Sequence, residues 1–126
     1  MIVVDASAVT ARLLRTRPDA FEPEDSPHAP QLCSLEVVAS LRNRVLRGEL
    51  SLARATQATV DYIDLDVALH EHDDLLVRCL ELFENFTPYD ASYVALAELL
   101  DAPLLTFDRS LARAVEAHTS VRLLIR

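Results

Sequence analysis

Residues 104–114 read Leu-Leu-Thr-Phe-Asp-Arg-Ser-Leu-Ala-Arg-Ala: a short apolar run, a carboxylate at Asp108, then a helical pattern. A buried strand that ends on an acid and hands over to a helix belongs to an α/β unit. Its acid stands at the carboxyl end of the sheet. The chain begins with the same design. Ile2-Val3-Val4 is apolar, Asp5 follows, and residues 7–16 form a helical pattern with Val9 and Leu13 inward. Two strands therefore deliver an aspartate to the same kind of place, and a parallel sheet brings both to one edge. If the strands are neighbours, their backbones lie about 4.8 Å apart.

The segments between extend this alternation. Residues 17–31 hold Pro18, Pro23, Pro27 and Pro30 among several acids and read as a loop or broken helix. A helix is expected over 34–47, with Leu35, Val37, Val38, Leu41 and Val45 on one face. Gly48, the only glycine, stands where a C-terminal cap belongs. A second helix follows over 51–62 with Ser51 as its cap, so the two form a helical hairpin. The alternating run 63–69 reads as a strand and 72–86 as a helix with acids in its first turn. Thr87-Pro88 opens another helix, with the threonine as cap and the proline at the first helical position. Strand 103–107, helix 109–117 and strand 121–125 complete the chain. The fold class is α/β, a parallel sheet covered on both faces with right-handed crossovers.

Composition narrows the function. The 126 residues suit one domain, 1–126, and 51% of them are hydrophobic, enough for one core. No apolar run reaches the roughly 18–20 residues of a membrane span. The N-terminus lacks the basic, then apolar, pattern of a signal peptide, so a soluble cytoplasmic protein without membrane contact is expected. Cys33 and Cys79 are far apart among apolar neighbours and read as buried free thiols. The net charge of −8 argues against loose, charge-driven binding to nucleic acid. Every lysine-or-arginine position is arginine, which fits both GC-rich coding and bidentate phosphate contacts.

Each acid has an ordinary reading. Asp5 and Asp108 can be helix N-caps, Asp90 can complete a capping box with Thr87, and Glu36 falls on the polar face of its helix, away from Val38 and Leu41. Together the balance shifts. Two carboxylates about 4 Å apart repel by roughly 4 kcal/mol at an effective dielectric near 20. A fold that gathers several needs a cation or keeps some protonated. Hard oxygen donors without a His or Cys cage point to Mg²⁺ or Mn²⁺, ions that keep waters and accept phosphate oxygens. That is equipment for phosphodiester hydrolysis.

The set VVDASAV, APQLCSLEVVASLR and YDASYVALAELLDAPLLTFDRSLARA resembles the PIN domain, and more narrowly the VapC-type toxin ribonucleases of bacterial toxin–antitoxin pairs. The resemblance runs from the first strand to about Ala114. It implies a three-layer fold with a short central parallel sheet of about five strands, flanking helices and a protruding helical hairpin. Asp5, Glu36, Asp90 and Asp108 match the family's four acids, and Ser7 and Thr106 match the hydroxyls that support the first and last aspartates. Asp101 stands where relatives often have glycine, a position an aspartate tolerates in the left-handed conformation. By resemblance, the four acids hold one or two Mg²⁺ or Mn²⁺ ions. A metal-activated water cleaves RNA, such as tRNA or rRNA, leaving a 5′-phosphate and a 3′-hydroxyl. Asp5, Asp90 and Asp108 would be mainly ligands, and Glu36 a ligand or the group that orients the water. The resemblance also implies a homodimer and a cognate VapB-type antitoxin, whose C-terminal segment blocks the site in a hetero-oligomer.

Other candidates are weaker. His70-Glu71-His72 lacks a third metal ligand nearby, and His28 and His118 read as isolated. Arg12, Arg15, Arg109 and Arg113, on the helices after Asp5 and Asp108, read as a solvated face or as RNA-phosphate contacts. A receiver-type signalling module needs a lysine, and the chain has none. A haloacid-dehalogenase-type phosphatase needs a second acid where Ser7 stands. One glycine excludes P-loop and dinucleotide-binding sites. The non-enzyme alternative is a catalytically silent PIN-like scaffold that binds RNA or a protein partner.

Overall fold

The computed structural model describes the whole chain, Met1–Arg126. Its strands are β1 (Ile2–Val4), β2 (Pro27–Pro30), β3 (Ala68–His70) and β4 (Leu104–Leu105). Its helices are α1 (Ala6–Leu13), α2 (Leu32–Leu46), α3 (Leu52–Asp64), α4 (Leu76–Glu81), α5 (Pro88–Leu100) and α6 (Arg109–His118), with short 3-10 turns over Pro23–Asp25 and Asp73–Leu75. The sheet has the order β3-β2-β1-β4, and every pairing is parallel. β1 is therefore flanked by β2 and β4, with Val3 opposite Leu104 and Val4 opposite Leu105. This register is what the two strand-acid stretches require.

The sheet has four strands, one fewer than expected. The tail over 121–125 pairs only through the single bridge of Leu123 to Leu104. β2 lies inside the proline-rich segment read as a loop. Its prolines sit at its first and last positions, where a missing N–H is tolerated, and Ala29 between them is fully buried. The expected strand over 63–69 is instead the end of α3, a left-handed turn residue at Asp66, and the start of β3. Ala55, Ala58 and Tyr62 are the buried side of α3, and this helical spacing carries the helix through the acid alternation that suggested a strand. The helix expected over 72–86 is broken into a 3-10 turn and the short α4. Here the His72 imidazole Nε2 accepts the Leu32 N–H at 3.0 Å, so the side chain serves the start of α2.

Helix α5 lies against β1, β2 and β4, with α4 packed against it in turn. Its residues from Ala91 to Ala97 are all buried, which explains why alanines alternate with larger apolar groups there. The hairpin of α2 and α3 does not stand free, because both helices pack on α1 and the Arg54 guanidinium donates to the Leu13 carbonyl at 2.8 Å. In α2 the buried stripe is Cys33, Val37 and Leu41, while Leu35 and Val38 face outward. Gly48 (φ 73°) and Asp101 (φ 48°) both take the left-handed conformation just past a helix, as expected of them.

Thr10 is the one buried hydroxyl without a partner: its side chain is in the core and its Oγ1 accepts and donates nothing. Thr10→Val keeps the shape and removes the desolvation cost. It should raise stability by about 1 kcal/mol, seen as a higher melting temperature. A lower one would mean that the hydroxyl is satisfied in solution.

Candidate active site

Asp5 follows β1 and its N–H donates to the Leu105 carbonyl at 3.2 Å, continuing the β1–β4 ladder by one residue. The residue is 5% exposed and its carboxylate caps α1. Oδ1 accepts the Ser7 hydroxyl at 2.6 Å and the Ala8 N–H at 3.0 Å, which occupies both its lone pairs. Oδ2 accepts only the Thr106 hydroxyl, at 2.5 Å, and keeps one acceptor position. Ser7 and Thr106 are in turn fixed by the Phe107 and Asp108 backbone N–H groups, at 2.9 and 3.0 Å. The two hydroxyls therefore clip the end of β4 to the acid at the end of β1.

Asp108 caps α6, its Oδ1 accepting the Ser110 and Leu111 N–H groups at 2.9 and 3.1 Å. Its other oxygen is free. Asp90 sits in the first turn of α5, where Thr87 accepts its backbone N–H at 3.2 Å. The Asp90 carboxylate does not complete a capping box and accepts no hydrogen bond, so it is available. Glu36 is half-buried rather than solvated. Its Oε1 accepts the Tyr93 hydroxyl at 2.6 Å. The residue stands at the edge of the buried Cys33–Val37 stripe, not on the outward side with Leu35.

Charge links all four. Burial above all holds Asp5 above the usual carboxylate range, against the pull of its hydroxyl and N–H partners, and the Asp108 charge adds to the rise. Asp90 is raised by burial and then by Asp108. Glu36 is raised by burial, eased by Tyr93, and raised further by Asp90 and Asp5. Nowhere do three His, Cys, Asp or Glu side chains already converge on one ion position. The reason is visible in the partners: Asp5 and Asp108 are held by helix N-termini and Glu36 by Tyr93. A cation that keeps its waters needs no such convergence, because water spans the gap. An all-oxygen donor set whose ionised form is costly suits Mg²⁺ or Mn²⁺.

These shifts carry a stability signature. Asp5, Glu36 and Asp90 bind protons more tightly folded than unfolded. Their contribution is full below the ordinary values of 3.8 and 4.5 and is lost as pH rises through the higher folded ones. Asp90→Asn takes one charge out of the set. Without divalent cations, the variant should melt above the wild type at neutral pH, with the gap closing towards about pH 4. Added Mg²⁺ should raise the wild type more than the variant. A pH-independent gap would sink this account.

The arginines divide. Arg12 is committed to structure, its Nε donating to the Phe21 carbonyl at 2.7 Å and its Nη2 lying 3.3 Å from Glu22. Arg109 and Arg113 are exposed on α6 without a partner. An open groove of about 470 Å³ runs against Thr106 and Asp108, with Thr16, Arg17, Phe107 and Arg109 on its walls. Arg17 and Tyr93 were not singled out from sequence. Tyr93 was legible in principle, since it lies one turn after Asp90 on the same helix. His28, expected to be isolated, has its Nδ1 2.8 Å from Nε2 of His70 on the next strand. Cys33 is fully buried, and its thiol is pushed up to about 12 mainly by that burial, which makes it inert.

The PIN domain profile matches residues 2–117 of this four-stranded parallel α/β fold. The chain belongs to the PIN domain family. It is 35% identical over its whole length, and that of the relative, to the VapC ribonuclease Mb0985 of Mycobacterium bovis. It is 38% identical to ribonuclease VapC1 of Mycobacterium tuberculosis, over 96% of each chain. The crystal structure of PAE2754 from Pyrobaculum aerophilum superposes with a TM-score of 0.71 at 24% identity, covering 97% of this chain and 81% of that one. No helix is long and apolar enough to cross a membrane.

Proposed function

We propose that residues 1–126 form a single PIN domain that acts as a VapC-type toxin, a metal-dependent endoribonuclease that hydrolyses RNA phosphodiester bonds. The observation that carries this reading is the placement of Asp5 at the end of β1, its carboxylate clipped by Ser7 and Thr106 beside Asp108, with the charges of neighbouring acids adding to the proton affinity of Asp5, Glu36 and Asp90. Oδ2 of Asp5, the carboxylate of Asp90 and the free oxygen of Asp108 would hold Mg²⁺ or Mn²⁺, directly or through water. When bound, such an ion supplies Lewis-acid polarisation of phosphoryl oxygens and lowers the pKa of water.

The chain's own groups do the rest. Ser7 and Thr106 favour the ionised form of Asp5, against the burial that opposes it, by donating to both of its oxygens. Tyr93 occupies one oxygen of Glu36 and fixes its orientation, leaving the other to accept a proton from the attacking water. The raised proton affinity of Glu36 suits that role. Attack in line at phosphorus would break the P–O3′ bond, and the leaving 3′-oxygen would take a proton from solvent, giving a 5′-phosphate and a 3′-hydroxyl.

The reading extends to a cytoplasmic, homodimeric toxin held inactive by a VapB-type antitoxin. An acidic pocket in a chain of net charge −8 would accept an arginine from such a partner. The test is incubation of total RNA with purified, antitoxin-free protein in Mg²⁺ or Mn²⁺. Discrete fragments with 5′-phosphates that vanish with EDTA support the reading. Intact RNA with well-folded protein would favour the scaffold alternative.

A further inference from the structure

We infer that Arg17, held in place by Phe107, is the receptor for an RNA phosphate flanking the scissile one, a site that the four acids do not supply. This rests on the nuclease reading for its substrate but on separate residues. Seven of the twelve arginines already have a side-chain partner: Arg12 with Glu22, Arg47 with Glu49, Arg78 with Glu98, Arg126 with Asp25, and Arg42, Arg44 and Arg54 with Asn43, Ser40 and the Leu13 carbonyl. The Arg17 side chain has no hydrogen bond and no ion pair. Its guanidinium carbon lies 4.6 Å from the centre of the Phe107 ring. A ring face restrains a guanidinium without consuming any N–H, so the planar fork of five donors stays open to a ligand.

The backbone builds this position. Arg15 turns left-handed at the end of α1 (φ 61°), and the Arg17 N–H then donates back to the Ala11 carbonyl at 3.1 Å. That folds the chain over α1 and lays Arg17 beside the residue preceding Asp108. Phe107 is itself fixed, since its N–H donates to Ser7, the residue that clamps Asp5. Arg17 thus shares one groove with Asp108 and Arg109. An acidic protein that must draw a polyanion to a cluster of carboxylates needs a local cation beside them, pre-set in geometry. Arginine binds phosphate bidentately, which ammonium cannot do.

The test is equilibrium binding of a fluorescein-labelled, mixed-sequence single-stranded RNA, read by anisotropy in Mg²⁺. An Asp5→Asn background keeps the RNA intact. Arg17→Ala should weaken binding roughly ten-fold and flatten the dependence of log Kd on log salt by about 0.7, the share of one phosphate on a single strand. Arg17→Lys should keep the salt slope and still lose affinity. Phe107→Leu keeps an apolar side chain against the core. It should weaken binding about three-fold with the slope intact, because the charge remains and only its placement is lost. Arg122→Ala is the control, an unpaired arginine in a separate pocket with Glu98 and Asp101 at the far end of α5.

Equal Kd and slope for Arg17→Ala and its parent, or an equal loss for Arg122→Ala, overturns the site, as does a parent that binds no RNA. Cleavage is assayed in parallel with Asp5 restored. RNA cut normally but bound independently of Arg17 would fell this inference and spare the nuclease. RNA bound through Arg17 but never cut would do the reverse.

Discussion

Asp5→Asn should fold normally and lose RNA hydrolysis by on the order of a hundred- to a thousand-fold, the scale of several kcal/mol of transition-state charge stabilisation. The argument follows the hydrogen bonds. Oδ1 faces two donors, the Ser7 hydroxyl and the Ala8 N–H, so the amide oxygen of an asparagine must take that side. The amide nitrogen is then forced to the Oδ2 side. There the Thr106 hydroxyl can turn to accept from it and pass its own proton towards Ser7, 3.3 Å away. The α1 cap survives, and the second amide hydrogen is left facing the position a cation would take. What disappears is the negative charge and the one acceptor position left for a cation. The measurement is cleavage rate in Mg²⁺ or Mn²⁺ beside a thermal melt of both proteins. A folded Asp5→Asn that cuts RNA at the wild-type rate would remove Asp5, and with it the metal-nuclease reading.

How far the site was legible follows from where its signals lie. Ile2-Val3-Val4-Asp5, Thr87-Pro88 with Asp90, and Leu105-Thr106 with Asp108 are local patterns in which strand, cap and acid are adjacent in the chain. Each appears in the structure in its expected place. The coupling of Glu36 to the others was carried by resemblance alone. Its helix face was misjudged because Leu35 and Val38 are apolar yet exposed, and the buried stripe runs instead through Cys33 and Val37. β2 was missed because its four residues carry two prolines, and only β1 and β3 on either side make Pro27–Pro30 a strand. The pairs His28–His70, Glu36–Tyr93 and Arg17–Phe107 are likewise products of packing between distant segments, and periodicity in sequence does not record them.

Thr106→Val tests whether the hydroxyls act on the chemistry or only on the fold. Thr106 donates to Asp5, accepts the Asp108 N–H, and sits at the point where β4 ends. Valine matches its shape, but Asp5 loses a donor and the Asp108 N–H loses its acceptor. Hydrogen bonds to the ionised form are what oppose burial at Asp5, so removing one drives its proton affinity further up. A larger fraction of Asp5 is then protonated at a given pH, and a cation must displace that proton to bind. The expected result is a fall in activity of about ten- to a hundred-fold, the usual effect of losing a group that orients a ligand. The activity profile should move to higher pH, and more Mg²⁺ should be needed for half-maximal rate. Thr106→Ser restores the hydroxyl and should restore all three. A merely structural role would lower the melting temperature and leave the pH profile where it was. An unshifted profile in a Thr106→Val protein that needs no extra Mg²⁺ would show that the Thr106 hydroxyl does not set the proton affinity of Asp5.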